Sequence, residues 1–382
     1  MQRQINLLRE FSVPLIAGVV AALAWANLAP EQYHHFLHAP LLGSLNFHFL
    51  TNDLFMVLFF GIAAVEITES CLPGGDLYPL RRAVNPLLAT LGGVTGPILV
   101  FLSLNALFGS PALLRGWGVP TATDIALAWL AASAVFGRRH PAISFLLLLA
   151  IADDAIGLVI IALFYPNPTM PVEPLWLLLT VLGMGVAYLL RRRKTNSYWP
   201  YLLLGGSLSW VGLFEAHIHP ALALVFIVPF LPHPPKEHKH LFEDDPRDLT
   251  PLASFEHEWK VVVDFGLFMF GLANAGVEFA AIGTPTWLIL ISLAVGKTCG
   301  IFTLGWLGAK LGYPLPDRIH TKELLLIGLV GGIGMTVALF VAGEAYSDPV
   351  IQGAAKMGAL FSSGCAVLAF VASRLLKVRR LS

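Results

Sequence analysis

The sequence predicts an all-α integral membrane protein of about twelve transmembrane helices, and three observations carry that expectation. The chain has 382 residues, of which 56% are hydrophobic and only 13% charged, against roughly 25% charged in soluble domains. Mean hydropathy is +0.73, and apolar runs near the roughly 20 residues that cross a bilayer recur along the chain. With the N-terminus inside, all but three of the 24 Lys and Arg residues fall on the cytoplasmic side, the bias that sets topology. Arg115 and Lys356 count as outer, and Lys297 lies within a span. An odd number of spans breaks this alternation, so both termini are expected in the cytoplasm. Formal net charge is zero, and the basic residues follow the spans. The expected partner is the lipid bilayer, with no nucleic acid.

The elements follow in order. A first span at about 11–29 begins directly after Arg9, and no cleavable signal is expected from the polar Met1–Asn6. An outer segment, 30–50, lacks Lys and Arg. Its GSLNFHF stretch (Gly43–Phe49) joins a turn to an alternating run, which predicts a small hairpin. His34, His35, His38 and His48 lie there without the spacing of a helical ligand pair and read as loop histidines. Spans follow at 51–69, 86–108, 119–135, 142–165 and 174–190, the last ending in a basic run. The spans at 199–214 and 218–231 are short, divided only by EAHIHP (Glu215–Pro220); merging them leaves eleven. Prolines and mixed charges make 232–258 an inner linker. The chain ends with spans at 261–281, 285–308, 324–345 and 352–373, all in a single polytopic domain. Cys71, Cys299 and Cys365 are far apart and lack metal spacing. No nucleotide-binding or HExxH motif is present.

The fifth span, 142–165, is apolar or small except for Asp153 and Asp154 at its midpoint. Each carboxylate costs roughly 2.5–3.5 kcal/mol there, so the pair reads as an ion or proton site. The alternative is a pair buried for structure. Adjacent helix positions point about 100° apart. One acid is therefore expected to meet a neighbouring helix while the other opens to water.

Two other spans are interrupted. The fourth begins GVPTATDIALAWL, where Gly118 and Pro120 break the helix beside Thr121, Thr123 and Asp124; the eleventh contains GLVGGIGMTVALF, with Gly331, Gly332, Gly334 and Thr336. Paired interruptions mark the binding site of inverted-repeat transporters, although Gly and Pro also serve packing and kinks. Broken helices leave dipole ends inside the membrane, and Asp124 and Lys297 are candidates to compensate them. Lys297, read as the only basic residue deep in a span, is expected to pair with Asp153.

These motifs, in this order, resemble the NhaA family of bacterial sodium/proton antiporters. TATDIA, AIADDAIGLVIIALFY, the VGK of the tenth span and GGIGMTVALF carry the likeness, together with TNDLFMVLFFGIAAVE (Thr51–Glu66) and FGLANAGVEF (Phe270–Phe279). It covers nearly the whole chain. The resemblance implies twelve helices in an inverted repeat, with the fourth and eleventh spans crossed and discontinuous. It implies a bacterial inner-membrane antiporter, not an enzyme, that exports Na+ or Li+ in exchange for entering protons, electrogenically and under pH control. No cofactor is implied, and a homodimer through the outer hairpin is. Asp154 corresponds to the central cation-binding carboxylate, with Na+ there and Asp153 nearby as proton-sharing partner of Lys297. Thr123 and Asp124 correspond to the polar residues of the broken helix. Asp53 and Glu66 correspond to acids of cation access or pH response, and His219, Glu256 and His257 to pH-response positions.

Some positions depart from the family pattern. VEITES (Val65–Ser70) is acidic where basic residues are usual, and Glu215, His217, Asp264 and Glu344 are surplus groups. Lys260 and Asp264, four apart, are expected to pair locally. A sodium-coupled organic-anion transporter of related fold is the alternative function; it needs basic residues aimed at substrate. An intramembrane aspartyl protease needs acids on facing helices, and here the two best acids are adjacent on one.

Overall fold

A computed structural model describes residues 12–42, 45–72, 80–166, 170–233, 250–316, 318–378 and 380. Its helices are α1 (Val13–Leu28), α2 (Pro30–His38), α3 (Phe47–Cys71), α4 (Leu80–Phe108), α5 (Ile125–Phe136), α6 (Pro141–Phe164) and α7 (Leu177–Arg192). They continue with α8 (Ser207–Glu215), α9 (Pro251–Asn274), α10 (Thr284–Lys310), α11 (Thr321–Gly331), α12 (Thr336–Ala345), α13 (Pro349–Phe361) and α14 (Gly364–Leu375). Among the described residues the strands are β1 (Pro40–Leu42) and β2 (Leu45–Asn46), paired antiparallel.

Among the described residues six helices are long and apolar enough to cross a membrane: α3, α4, α6, α7 (from Pro174), α10 and the run Pro349–Leu375. Two more candidates are bent pairs. The 3-10 segment Pro111–Thr121 meets α5 at 58°, and α11 meets α12 at 49°. The other four predicted spans coincide with elements that are short or charged. α1 has 16 residues, Pro220–Phe230 is a short apolar stretch, and Tyr201–Glu215 is a π-turn running into α8. α9 carries Glu256, Glu258, Lys260 and Asp264. It starts at Pro251, inside the stretch read as linker, because Leu252 and Phe255 are buried while His257 and Glu258 are exposed. An uncharged run is what a span search seeks, and an amphipathic turn lacks one. The linker residues 234–249 lie outside the described residues.

The chain divides into two compact units: Met1–His34, Leu80–Gly157 and Gly271–Ser382 in the first, His35–Pro79 and Leu158–Phe270 in the second. The first is organised by the contact of α4 with α10. A Cβ on Gly92 would stand 2.0 Å from the Gly300 carbonyl oxygen, and one on Gly96 2.3 Å from that of Gly296. Small residues four apart on both helices allow this backbone approach. In lipid, where apolar burial gives little drive, such contact is a main source of helix association. It also sets Lys297, flanked by Gly296 and Gly300, against α4. The surrounding core includes Ala128, Phe136, Leu146, Leu149 and Ile301. The second unit packs Tyr198, Tyr201, Ile227, Leu252 and Phe255. Large apolar side chains such as Leu28, Leu107, Leu163 and Leu375 are exposed, as lipid contact requires and water disfavours.

Candidate functional site

The site in the first unit is built where both bent pairs break. Between Thr121 and Ile125, and between Gly331 and Thr336, the backbone leaves the helix and exposes N–H and C=O groups. Such groups cost several kcal/mol each inside a membrane unless satisfied. Their partners come from the opposite break. The Asp124 N–H donates to the Ile333 carbonyl at 2.7 Å. Asp124 Oδ1 accepts the Leu127 N–H at 3.0 Å, and its Oδ2 accepts the Thr336 N–H at 3.2 Å. One carboxylate thus faces the N-terminal ends of α5 and α12, where negative charge is favoured. Thr123 Oγ1 lies 2.9 Å from the Gly331 carbonyl.

Lys297 enters from α10, at the end of the π-turn Ser292–Lys297, a helix irregularity common at functional positions. It is fully buried, as is Asp153. Lys297 Nζ lies 2.5 Å from Asp153 Oδ2 and donates as well to the Thr121 carbonyl, at the C-terminal end of a broken segment, where a cation is favoured. Thr123 Oγ1 lies 2.8 Å from the same Asp153 Oδ2. The second oxygen, Oδ1, is buried and has no hydrogen-bond partner among the described residues. Asp154, the next residue on α6, is only partly buried, and its charge also acts on Lys297.

Asp153, Asp154, Thr123, Asp124 and Lys297 therefore gather in one unit. Asp53, Glu66, His219, Glu256 and His257 all belong to the other. There Asp53 sits in the π-turn Leu50–Phe55, and its carbonyl accepts the Trp210 Nε1–H. His219 is buried and its Nδ1 accepts the Ala221 N–H at the start of a 3-10 turn. His257 is exposed. Glu66 and Glu256 meet on Lys260 at 3.1 Å each. Lys260 thus reaches back to Glu256, because helix side chains lean toward the N-terminus.

Two further expectations change. Lys356, counted with the outer charges, is 7% exposed; Lys297 is therefore not the only buried lysine. The charge that acts on Lys356 is Glu344, which gives that surplus acid a partner. Sequence reasoning also missed Ser362. Its Oγ accepts the Gly334 N–H at 3.1 Å and donates to the Ala359 carbonyl at 2.6 Å, so it satisfies the break between α11 and α12. The signal was the Ser362-Ser363-Gly364 run inside an apolar span, where α13 gives way to α14.

The arrangement can do two things. It holds one carboxylate as half of a buried ion pair, and it sets a second, adjacent carboxylate on a residue that is only partly buried, with its Oδ1 turned inward. Oxygen ligands of this kind suit protons and hard cations.

Comparisons with known proteins identify the family. The family model described as Na+/H+ antiporter 1 matches residues 5–374. The chain is 72% identical to Na(+)/H(+) antiporter NhaA 1 of Pelobacter propionicus, over 100% of both chains. It is 68% identical to Na(+)/H(+) antiporter NhaA of Geobacter sulfurreducens, again over 100% of both. The sodium proton antiporter MjNhaP1 from Methanocaldococcus jannaschii shares the fold with a TM-score of 0.51 at 15% identity, covering 94% of this chain and 97% of that one. With its apolar helices, the protein is a multi-pass protein of the bacterial inner membrane. The chain belongs to the NhaA family of Na+/H+ antiporters, a family of transporters and not of enzymes.

Proposed function

We propose that this protein exports Na+ or Li+ in exchange for protons, by alternating access around Asp153 and Asp154. Family membership supports sodium/proton antiport. The observation that carries the residue assignment is the asymmetry of the two acids: Asp153 is buried on Lys297, while Asp154 is partly exposed beside it. In this reading the inward-facing site releases protons and Asp154 binds the cation. The site then opens outward, protons displace the cation, and the protonated form returns. Thr123 and the free Oδ1 of Asp153 supply further hard oxygen. Asp124 and Lys297 hold the broken ends in place. Exchange is electrogenic if both acids cycle, two protons per cation. The membrane potential then adds about 2.3 kcal/mol per charge per 100 mV. Twelve crossings with both termini cytoplasmic, and a homodimer through the 30–50 segment, belong to the same proposal. So do cation-access or pH-response roles for Asp53 and Glu66, and pH-response roles for His219, Glu256 and His257.

The organic-anion reading is weaker, because Lys297 is taken up by Asp153 and Thr121 and has no charge left for an anionic substrate. The test is cation-evoked proton flux in proteoliposomes. Wild type is expected to respond to Na+ and Asp154→Asn to give none. Normal flux from a folded Asp154→Asn protein refutes the assignment, and a wild type that never exchanges Na+ for H+ refutes the function.

A further inference from the structure

We propose that a groove between α5 and α14 seats one anionic phospholipid of the cytoplasmic leaflet. The groove has a volume of about 330 Å³, within the range of pockets that hold small ligands. Its walls are two matching helical stripes. Leu127, Leu130, Ala131 and Ala134 on α5 face Ser363, which caps α14, and Ala366, Val367 and Phe370 on it, and both sets follow the i, i+3, i+4, i+7 spacing of one helix face. The lining is apolar apart from Ser363, which suits an acyl chain. Its floor is Ile333, whose carbonyl accepts the Asp124 N–H. A chain in the groove therefore rests against the junction of the two broken helices.

Charge identifies the head group. Arg374, one turn beyond Phe370 on α14, holds its guanidinium 5.0 Å from the Phe370 ring and is exposed. Arg138 and Arg139 follow the end of α5, Lys377 follows α14, and all three are exposed. Neither 125–141 nor 349–382 contains an Asp or Glu. Both walls thus run from an apolar stripe to exposed cations, on the side that the topology proposed above places in the cytoplasm; Glu323 at the start of α11, whose charge reaches His140, is accompanied there by Lys322, which donates to the Leu376 carbonyl. Basic residues closing an apolar slot on that side select anionic head groups over zwitterionic ones.

The test uses the purified full-length protein titrated with phosphatidylglycerol or phosphatidylcholine, counting retained lipids by native mass spectrometry. Wild type is expected to retain phosphatidylglycerol in preference. Arg374→Gln should lower that preference about fivefold, the effect of one basic residue near an anionic surface. Ala134→Trp, which fills the groove from its exposed rim, should remove the retained lipid, and Val367→Trp should do the same if the first variant fails to fold. Leu178→Trp, on an exposed position of the other unit, should change nothing. Equal retention of both lipids by wild type, or undiminished retention in folded Ala134→Trp and Val367→Trp proteins, overturns the proposal. Ion exchange is not read in this experiment, so its outcome is independent of the antiport reading except for the shared orientation.

Discussion

Two lysines, one in each unit, make opposite use of the same chemistry. Lys297 meets one carboxylate, Asp153, with both side chains at 0% exposure. Lys260 meets two, Glu66 and Glu256, with side chains 36%, 30% and 27% exposed. Desolvating a buried pair can exceed its Coulomb gain, so burial of this kind is a poor way to add stability. A half-exposed cluster costs little to assemble and contributes little, about 0–1 kcal/mol. The expensive pair is the one beside Asp154 and the broken helices. That placement is what a working ion site requires and what a merely structural bridge does not.

The comparison predicts its largest effect at Lys297. Lys297→Met leaves Asp153 charged and buried, which should lower stability by about 3–5 kcal/mol, seen as a large drop in melting temperature in detergent. Pairing it with Asp153→Asn should restore much of the loss, because no lone charge is left. A double variant as unstable as the single one contradicts the ion-pair account. Lys297→Arg keeps the charge and is expected to stay active if charge balance is its role; a folded but dead Arg variant argues for a further one.

The next effect belongs to Ser362. Ser362→Ala leaves the Gly334 N–H buried without a partner, a loss of about 1–3 kcal/mol. Ser362→Thr should recover most of it by keeping the hydroxyl. Equal melting temperatures for Ser362→Ala and wild type would mean that this hydrogen bond is dispensable.

How much of this was legible beforehand follows from the physics of each element. The Asp153–Lys297 pair could be read because an isolated charge in an apolar span demands a partner and few exist. The breaks could be read from Gly118, Pro120 and the Gly331–Gly334 run. Which residues satisfy the breaks could not. Ser362 lies 28 positions from Gly334, and no periodicity reports a contact at that separation. The burial of Lys356 could not be read because a count of charges by side says nothing of exposure, whereas its helix begins at Pro349 and carries it two turns along. The start of α9 was missed because an amphipathic turn resembles a charged linker in a hydropathy reading.

At Lys260 the expectation is small and of a different kind. Lys260→Gln should change stability by no more than about 1 kcal/mol. Because the cluster is half-exposed, the difference should shrink as salt is raised past about 0.15 M, where the Debye length is near 8 Å. The Lys297→Met effect should hardly respond to the same salt. If the two variants show equal salt sensitivity, the contrast between a buried and a solvated pair is wrong.

The smallest effect sharpens the same distinction with a group whose charged form burial disfavours. His140, between the fourth and fifth predicted spans, is 5% exposed. Its ring stacks on Phe136 at 5.3 Å, and its Nδ1 accepts the Ala142 N–H at 3.1 Å. Burial pushes its pKa below the ordinary 6.5; the charge of Glu323 opposes this and that of Arg318 adds to it. The folded protein therefore resists protonation that the unfolded chain accepts. The stability contributed by neutral His140 is complete above about pH 6.5 and is lost as pH falls from there through the lowered folded value. His140→Asn keeps a cap acceptor and does not titrate, so the advantage of wild type over this variant should decline between pH 7.5 and 5.5, by under about 1 kcal/mol. A gap that stays level across that range, measured as the difference in unfolding free energy, would mean that His140 is as free to take up a proton folded as unfolded, and that its burial is not felt as desolvation.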